Sequence, residues 1–188
     1  MSKPKQLRAD AILNRDRLID VARKQFSKRD SAVTLEEIAH LAGVGIGTLY
    51  RHFPTREALV EAVYRSERDA LMADGEAMLK RHPAFKALRM WMDRYTQFVA
   101  TKHSMQDTLR AAFASRSGPL FETRAKLRAT ISQFLSAGIA DGTIRHDVEA
   151  DDLTISLGAI VLVTDLSTDR GQLRRVLDLL MDGLRPRS

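Results

Sequence analysis

The sequence contains no cysteine, which excludes disulfide bonds and thiolate chemistry for this chain. It also lacks a long hydrophobic run, because the longest, residues 157–163, is far shorter than the roughly 20 residues of a membrane-spanning helix. The first residues are polar and basic, and no hydrophobic block follows them, so we expect no secretory signal. These absences predict a cytoplasmic protein that does not contact a membrane.

The 188 residues are 44% hydrophobic, which is enough for a packed core in one compact unit or in two small ones. The formal net charge is +6, and residues 1–60 hold 11 basic against 7 acidic side chains. This basic excess at the N-terminal end indicates a polyanionic partner. An ordinary solubilising surface is the alternative interpretation of the charge taken by itself.

The hydrophobic pattern has the helical period throughout, with no strand signal and no internal repeat. It predicts an all-α fold of about nine helices, preceded by a polar, basic arm over residues 1–11. The predicted helices cover about residues 14–29, 35–42, 46–52, 55–80, 83–99, 106–116, 120–140, 148–165 and 170–184.

Residues 34–53 form the most informative segment of the chain. Thr34, with Glu37 three residues later, predicts a capping box that begins a short helix. Gly43 then allows a left-handed turn, and residues 46–52 form a second short helix with polar and basic side chains. The pattern predicts a helix-turn-helix, a motif whose second helix enters the major groove of DNA.

Side chains at the second helix suggest how it would contact DNA. Thr48 and Arg51 project from this helix and can reach phosphates or base edges, and the guanidinium fork of Arg51 suits guanine. Val44 and Ile46 can touch thymine methyl groups at the start of the helix. For Val44, burial in the domain core is the favoured interpretation.

Gly45, Gly47 and Thr34 also belong to the predicted DNA-contact surface. Gly45 would cap the second helix, and Gly47 would keep its surface low enough for DNA to approach closely. Thr34 would add a contact to the DNA backbone. The glycines do not form a nucleotide-binding loop, because a helix and not a strand precedes them.

Residues 15–64, and above all "GTLYRHFPTREAL", resemble the TetR family of bacterial transcriptional regulators. The resemblance implies a DNA-binding domain over residues 1–54 and an effector-binding and dimerisation domain over residues 55–188. It also implies that Tyr50, His52 and Arg56 hold DNA phosphates. Family members usually have Ser or Thr where this chain has Gly45, so one hydroxyl contact to phosphate is missing here.

Near the chain end, residues 153–166 are apolar on more than one face, so the helix needs cover on two sides. A partner subunit would supply this cover, and burial within one chain is the alternative. The resemblance favours a homodimer, because family members pair their last two helices into a four-helix bundle. The predicted interface residues are Leu153, Leu157, Ile160, Val161, Leu173, Val176, Leu177 and Leu180.

The second half also carries an aromatic stripe at helical spacing. Such a stripe lines either a ligand site between helices or a solid core, and the family resemblance implies an effector cavity in this region. The candidate pocket residues are Trp91, Tyr95, Phe98, Arg110, Phe113 and Phe121.

No catalytic constellation is present, and the five histidines lack the spacing of metal ligands, so we expect no enzyme, cofactor or metal. Together with the resemblance, the sequence predicts a dimeric repressor that a small-molecule effector releases from a palindromic duplex DNA operator. A transcriptional activator, a repressor without an effector and a small-molecule sensor without a DNA output remain open.

Overall fold

The computed structural model describes residues 3–26, 33–104, 119–164 and 170–186. In these ranges the chain forms eight helices and no strand, which confirms the all-α fold. The predicted short helix over residues 106–116 lies outside the described residues. The helices are α1 (Lys3–Phe26), α2 (Leu35–Leu41), α3 (Ile46–His52), α4 (Arg56–Arg81), α5 (Ala84–Ser104), α6 (Pro119–Ala140), α7 (Ala150–Val163) and α8 (Arg170–Asp182).

Helix α1 begins at Lys3, so the predicted arm over residues 1–11 is wrong where the structure describes it. Polarity favours an arm, but residues 5–13 are rich in Lys, Arg, Gln, Ala and Leu, which are strong helix formers. Pro4 lies in the first turn, where its missing N–H has no helical partner to lose. Intrinsic helix propensity therefore outweighs the polarity of this segment.

The chain divides into two compact units between Glu67 and Arg68, inside α4. The N-terminal unit contains α1, α2, α3 and α4 as far as Glu67. The C-terminal unit contains α4 from Arg68, α5 as far as Ala100, and α6, α7 and α8. The functional boundary after residue 54 stays a prediction.

The N-terminal unit has an aliphatic core drawn from all four of its helices. Its fully buried residues are Leu18, Ala22, Ile38, Leu49, Leu59 and Val63. Burial of each large aliphatic side chain contributes about 1.5–3 kcal/mol. At the rim, the Arg15 guanidinium lies 5.5 Å from the ring centroid of Phe53, and Arg23 pairs with the buried Glu67 at 3.3 Å. Short α2 and α3 are thus held by packing rather than by their own length.

The C-terminal unit packs around Trp91, which is fully buried. The indole Nε1 donates a hydrogen bond of 2.9 Å to the Leu71 carbonyl in α4. Gly75, one turn further along α4, allows this contact, since a Cβ there would lie 2.9 Å from Thr130 Cγ2 and 3.2 Å from the indole nitrogen. The absence of a side chain at Gly75 therefore lets α4 approach α5 and α6 closely.

An ion network joins α4 to α6 at the start of the same unit. Arg68 is only 3% exposed, and its Nη1 donates a bond of 2.9 Å to Glu122. Asp69 accepts bonds from Arg68 and from Lys126, at 3.0 and 2.9 Å. Burial raises the pKa of the Asp69 carboxyl, but these two cations outweigh it and hold the pKa below its usual value. Each buried or half-buried charge in the network has an opposite partner.

Candidate functional site

The capping box predicted before α2 is present. The Thr34 hydroxyl accepts a hydrogen bond of 3.2 Å from the Glu37 amide, and the Glu37 carboxylate accepts one of 2.9 Å from the Thr34 amide. These bonds satisfy two backbone donors that a helix start would leave without partners. Ile38, Ala39 and Ala42 are buried, so α2 turns its apolar face inward while Thr34 stays exposed.

The turn between α2 and α3 also follows the predicted chemistry. Gly43 has a φ of +69°, the left-handed conformation that glycine adopts without strain. Val44 donates its amide to the Ala39 carbonyl at 3.0 Å, and its side chain is half-buried. Gly45 is the N-cap of α3, with no side-chain cap bond, and its carbonyl accepts the Thr48 amide at 2.8 Å. The backbone alone therefore begins α3.

Helix α3 has one face in the core and one face in solvent. Leu49 and Phe53 are buried at 0% and 3% exposure, whereas Ile46 and Tyr50 are 38% and 43% exposed. His52 and Thr48 are half-buried between these faces. The helix contains no acidic residue and has Arg51 and His52 in its last turn, so its outer face is basic.

Two glycines leave the start of this outer face open. A Cβ at Gly45 or Gly47 would meet no atom within 4 Å, so neither glycine is required by packing inside the chain. Both positions therefore form a low surface on which another molecule can approach the α3 backbone. This geometry is compatible with the close-approach role predicted for Gly47.

Arg51 lies along the surface of α3 and does not point freely into solvent. Its Nε donates to the Gly47 carbonyl at 3.1 Å, and its Nη2 donates to the Thr48 hydroxyl at 3.3 Å. Among the described residues no carboxylate pairs with Arg51, so the helix surface keeps this positive charge. The sequence placed Thr48 and Arg51 on one helix, but their direct bond was not predicted.

Arg56 has an internal role that the sequence pattern did not indicate. Its Nη1 donates a bond of 2.6 Å to the Val33 carbonyl, and its guanidinium lies 5.3 Å from the ring centroid of Phe26. These contacts tie the start of α4 to the end of α1 and to the segment before α2. The phosphate contact of Arg56 stays a prediction, and it would have to use the remaining donors of a half-buried side chain.

The aromatic stripe of α5 is packed core in the structure. Trp91, Tyr95 and Phe98 are at most 8% exposed, and the Trp91 ring lies 6.0 Å from Tyr95 and 5.6 Å from Phe134, between centroids. These three residues are buried and contact one another or Phe134, and their part in an effector pocket stays a prediction. The side chains of Arg110, Phe113 and Phe121 lie outside the described residues.

An open groove of about 410 Å³ lies between α5 and α8. It is mostly polar, and sequence reasoning missed it because its residues form no motif and come from helices distant in the chain. Its lining residues are Asp93, Thr96, Gln97, Ala100, Arg170, Leu173 and Arg174.

The eight residues of the predicted subunit interface differ in exposure, and the interface itself stays a prediction. Five of the eight are buried within one chain; they are Leu153, Leu157, Val161, Leu173 and Leu177. Ile160, Val176 and Leu180 remain half-exposed. The adjacent face of the same two helices is more exposed, with Leu162 at 78%, Val163 at 82% and Leu179 at 71%. Helix α7 therefore has one apolar face in the core and apolar residues on its exposed side, as its two-sided pattern predicts.

No described helix is both long enough and apolar enough to span a bilayer. The side chains that the structure describes also include no group of three or more acidic, histidine or cysteine residues arranged to hold a metal.

The capped α2, the glycine turn and the basic, open face of α3 define a helix-turn-helix DNA-binding protein. Residues 18–63 match the family model of bacterial regulatory proteins of the tetR family, and residues 83–186 match the C-terminal domain of SbtR-like transcriptional regulators. The chain belongs to the TetR family, and it is a DNA-binding transcriptional regulator.

Solved structures and curated relatives agree with this assignment. The TetR transcriptional regulator SCO0520 from Streptomyces coelicolor is 40% identical, with a TM-score of 0.81 over 93% of this chain and 99% of that one. A TetR regulatory protein from Mycobacterium vanbaalenii is 31% identical, with a TM-score of 0.76 over 96% and 99%. The transcriptional repressor KstR2 of Mycolicibacterium smegmatis is 30% identical over 73% of this chain and 70% of its own length.

Proposed function

We propose that this regulator is a homodimeric repressor that binds a palindromic operator through α3, and that a small molecule bound by the C-terminal unit releases it. The observation that carries the proposal is the two-faced α3, whose inner residues Leu49 and Phe53 fix it to the core while Tyr50 and Arg51 face outward. The similarity to KstR2, a named repressor, supports repression over activation.

The contacts divide by role. Exposed Tyr50 and half-buried His52 hold phosphates on either side of the groove, and these contacts set affinity and salt dependence without reading sequence. Ile46 reaches thymine methyl groups, and half-buried Val44 has a smaller share of that surface. Because Gly45 and Gly47 have no side chains, the DNA backbone can approach α3 closely at these positions. Thr34 contributes from the start of α2, where its hydroxyl already caps the helix.

The second copy covers the outer face of α7 and α8. Exposed Leu162, Val163 and Leu179 form an apolar surface that a monomer would leave in water, and burial of such a surface drives association. A two-fold dimer presents two α3 helices to two half-sites, so protein symmetry matches the symmetry of the operator.

Release requires an effector that binds the DNA-incompetent state more tightly than the competent one. Helix α4 contributes residues to both units, so a ligand that shifts the C-terminal part of α4 also acts on its N-terminal part. Ion pairs attach α4 within each unit, such as Arg23–Glu67 in the N-terminal unit and Arg68–Glu122 in the C-terminal unit.

A duplex of the DNA that flanks the gene, labelled with a fluorophore, tests the DNA contact. We expect binding whose affinity falls as salt rises, and Tyr50→Ala should weaken binding about tenfold on every duplex while thermal unfolding is unchanged. Arg128→Ala is the control, because it removes an exposed arginine of the C-terminal unit. A wild-type protein without preference for duplex at low salt would refute the proposal.

Sedimentation of Leu162→Arg tests the dimer. A charge in the middle of the proposed interface should weaken association by about 2 kcal/mol or more, giving monomers at concentrations where the wild type is dimeric. Ile12→Arg is the matched control, since Ile12 is 61% exposed on α1, outside the proposed interface. Equal dimer fractions in the Leu162 variant and the wild type would place the interface elsewhere.

A further inference from the structure

The Arg51 guanidinium has two hydrogen-bonding edges, and the structure uses one of them. The side-on edge, formed by Nε and one N–H of Nη2, bonds the Gly47 carbonyl and the Thr48 hydroxyl at 3.1 and 3.3 Å. The end-on edge, formed by Nη1 and the second N–H of Nη2, has no partner among the described residues. Helix α3 therefore engages one edge of the guanidinium, and the two donors of the other edge stay available on an exposed side chain.

Thr48 is suited to hold this orientation. It lies three residues before Arg51, so both side chains occupy the same face of α3. Its side chain is half-buried and β-branched, which limits its rotamers, and in the structure its hydroxyl lies 3.3 Å from Arg51 Nη2. Arg51 itself is exposed and unpaired with any described carboxylate, so its charge is not neutralised before DNA binds.

Guanine in the major groove presents two acceptors, O6 and N7, and a guanidinium edge pairs with both at once. Because a planar fork that is already oriented loses less conformational freedom on binding, its contact favours one base and one geometry. The same edge can bind two oxygens of one phosphate, so base preference and salt slope are the measurements that distinguish the two acceptors.

We propose that Arg51 reads a guanine in each operator half-site through its end-on edge, and that Thr48 is a positioning residue that acts through Arg51. The inference rests on the proposed DNA contact of α3. It adds that guanine is the base that Arg51 contacts and that Thr48 orients the Arg51 side chain. It predicts that Thr48 determines preference at the guanine position without touching that base.

The test uses the full-length protein and a pool of duplexes with a randomised central segment, sequenced after successive rounds of binding. The wild type should enrich a two-fold repeat with a guanine at one position in each half. Arg51→Ala should lose the preference at that position and bind the enriched duplex about 5- to 100-fold more weakly. Arg51→Lys, which keeps the charge but lacks the planar fork, should weaken the same preference.

The Thr48 variants separate positioning from contact. Thr48→Val keeps the shape but removes the hydroxyl, and it should reduce the guanine preference several-fold with an unchanged salt slope, because no charge is lost. Thr48→Ser retains the acceptor and should behave like the wild type. Circular dichroism of each variant confirms the fold, since both positions lie on the surface of α3.

Three results would overturn parts of the argument in distinguishable ways. If Arg51→Ala weakens binding equally on all duplexes and lowers the salt slope by about one, Arg51 holds a phosphate and the inference is wrong. If Thr48→Val leaves every base preference unchanged, Thr48 does not position Arg51. If the wild type enriches no sequence at all, the proposed function itself fails.

Discussion

The two units of this chain use surface-exposed apolar and aromatic residues differently. In the N-terminal unit, Tyr50 and Ile46 stand beside glycines and basic groups on the short α3. In the C-terminal unit, Trp91, Tyr95, Phe98 and Phe134 are buried, and the most exposed large hydrophobic residues are aliphatic, as at Leu162. The difference teaches that the ring of Tyr50 is open to another molecule on a polar, glycine-rich helix face, whereas the aromatic stripe of α5 is buried within its own unit.

The largest expected effect separates these two kinds of aromatic residue. Trp91→Ala should destabilise the C-terminal unit by about 3–5 kcal/mol, because it leaves a cavity and removes the bond to the Leu71 carbonyl. Tyr50→Ala should change the free energy of unfolding by less than about 0.5 kcal/mol, since its ring is exposed. Urea unfolding followed by circular dichroism measures both.

This comparison would break if Trp91→Ala unfolded at the same urea concentration as the wild type, because the ring would then line an open cavity. Trp91→Phe is the control variant that keeps most of the ring volume. As Trp91 is the sole tryptophan, its fluorescence in the wild type should also show a blue-shifted emission maximum typical of a buried indole.

A smaller effect tests how much the capping box contributes to the stability of α2 in the N-terminal unit. Thr34→Ala removes the hydroxyl of the capping box and should lower the stability of α2 by about 1 kcal/mol. Hydrogen exchange of the α2 amides would show it as faster exchange in that helix. Thr34→Ser, which keeps the acceptor, should exchange like the wild type, and equal protection in the alanine variant would mean that packing alone maintains α2.

The smallest effect concerns Asp69 in the C-terminal unit. Its pKa is lowered in the folded chain, so its ionised form stabilises the fold above its unfolded pKa near 3.8, and this stabilisation is lost as pH falls through the lower folded value. Asp69→Asn should therefore be less stable than the wild type at pH 7, by under about 1 kcal/mol because the side chain is 54% exposed and water screens it.

Urea unfolding of both proteins at pH 7 and at pH 3 measures this difference, which should shrink at the lower pH. Asp141→Asn is a useful control, because the Asp141 pKa is also lowered, chiefly by its bond from the Thr143 hydroxyl, but without a cation bridging two helices. If the difference in unfolding free energy between the wild type and Asp69→Asn grew toward pH 3, it would contradict a lowered pKa for Asp69.

Much of the recognition surface was predictable because its signals are local. The capping box at Thr34, the left-handed Gly43 and the backbone cap at Gly45 each involve atoms within a few residues. Arg56 was less predictable: its bond to the Val33 carbonyl and its contact with Phe26 depend on how three segments pack. The Thr48–Arg51 bond was partly predictable, because the three-residue spacing permits it but the rotamer of Arg51 decides whether it forms.

By itself, the sequence determined that the chain is helical, where the helix-turn-helix begins and turns, and that α7 is apolar on two sides, because these properties follow from periodicity and from bonds between near neighbours. Only the tertiary structure decided which side of α7 is core, which rings pack against Trp91, and which arginines bond within the chain. Those outcomes depend on contacts between residues far apart in the chain, such as Trp91 and Phe134, and no local sequence pattern predicts such contacts.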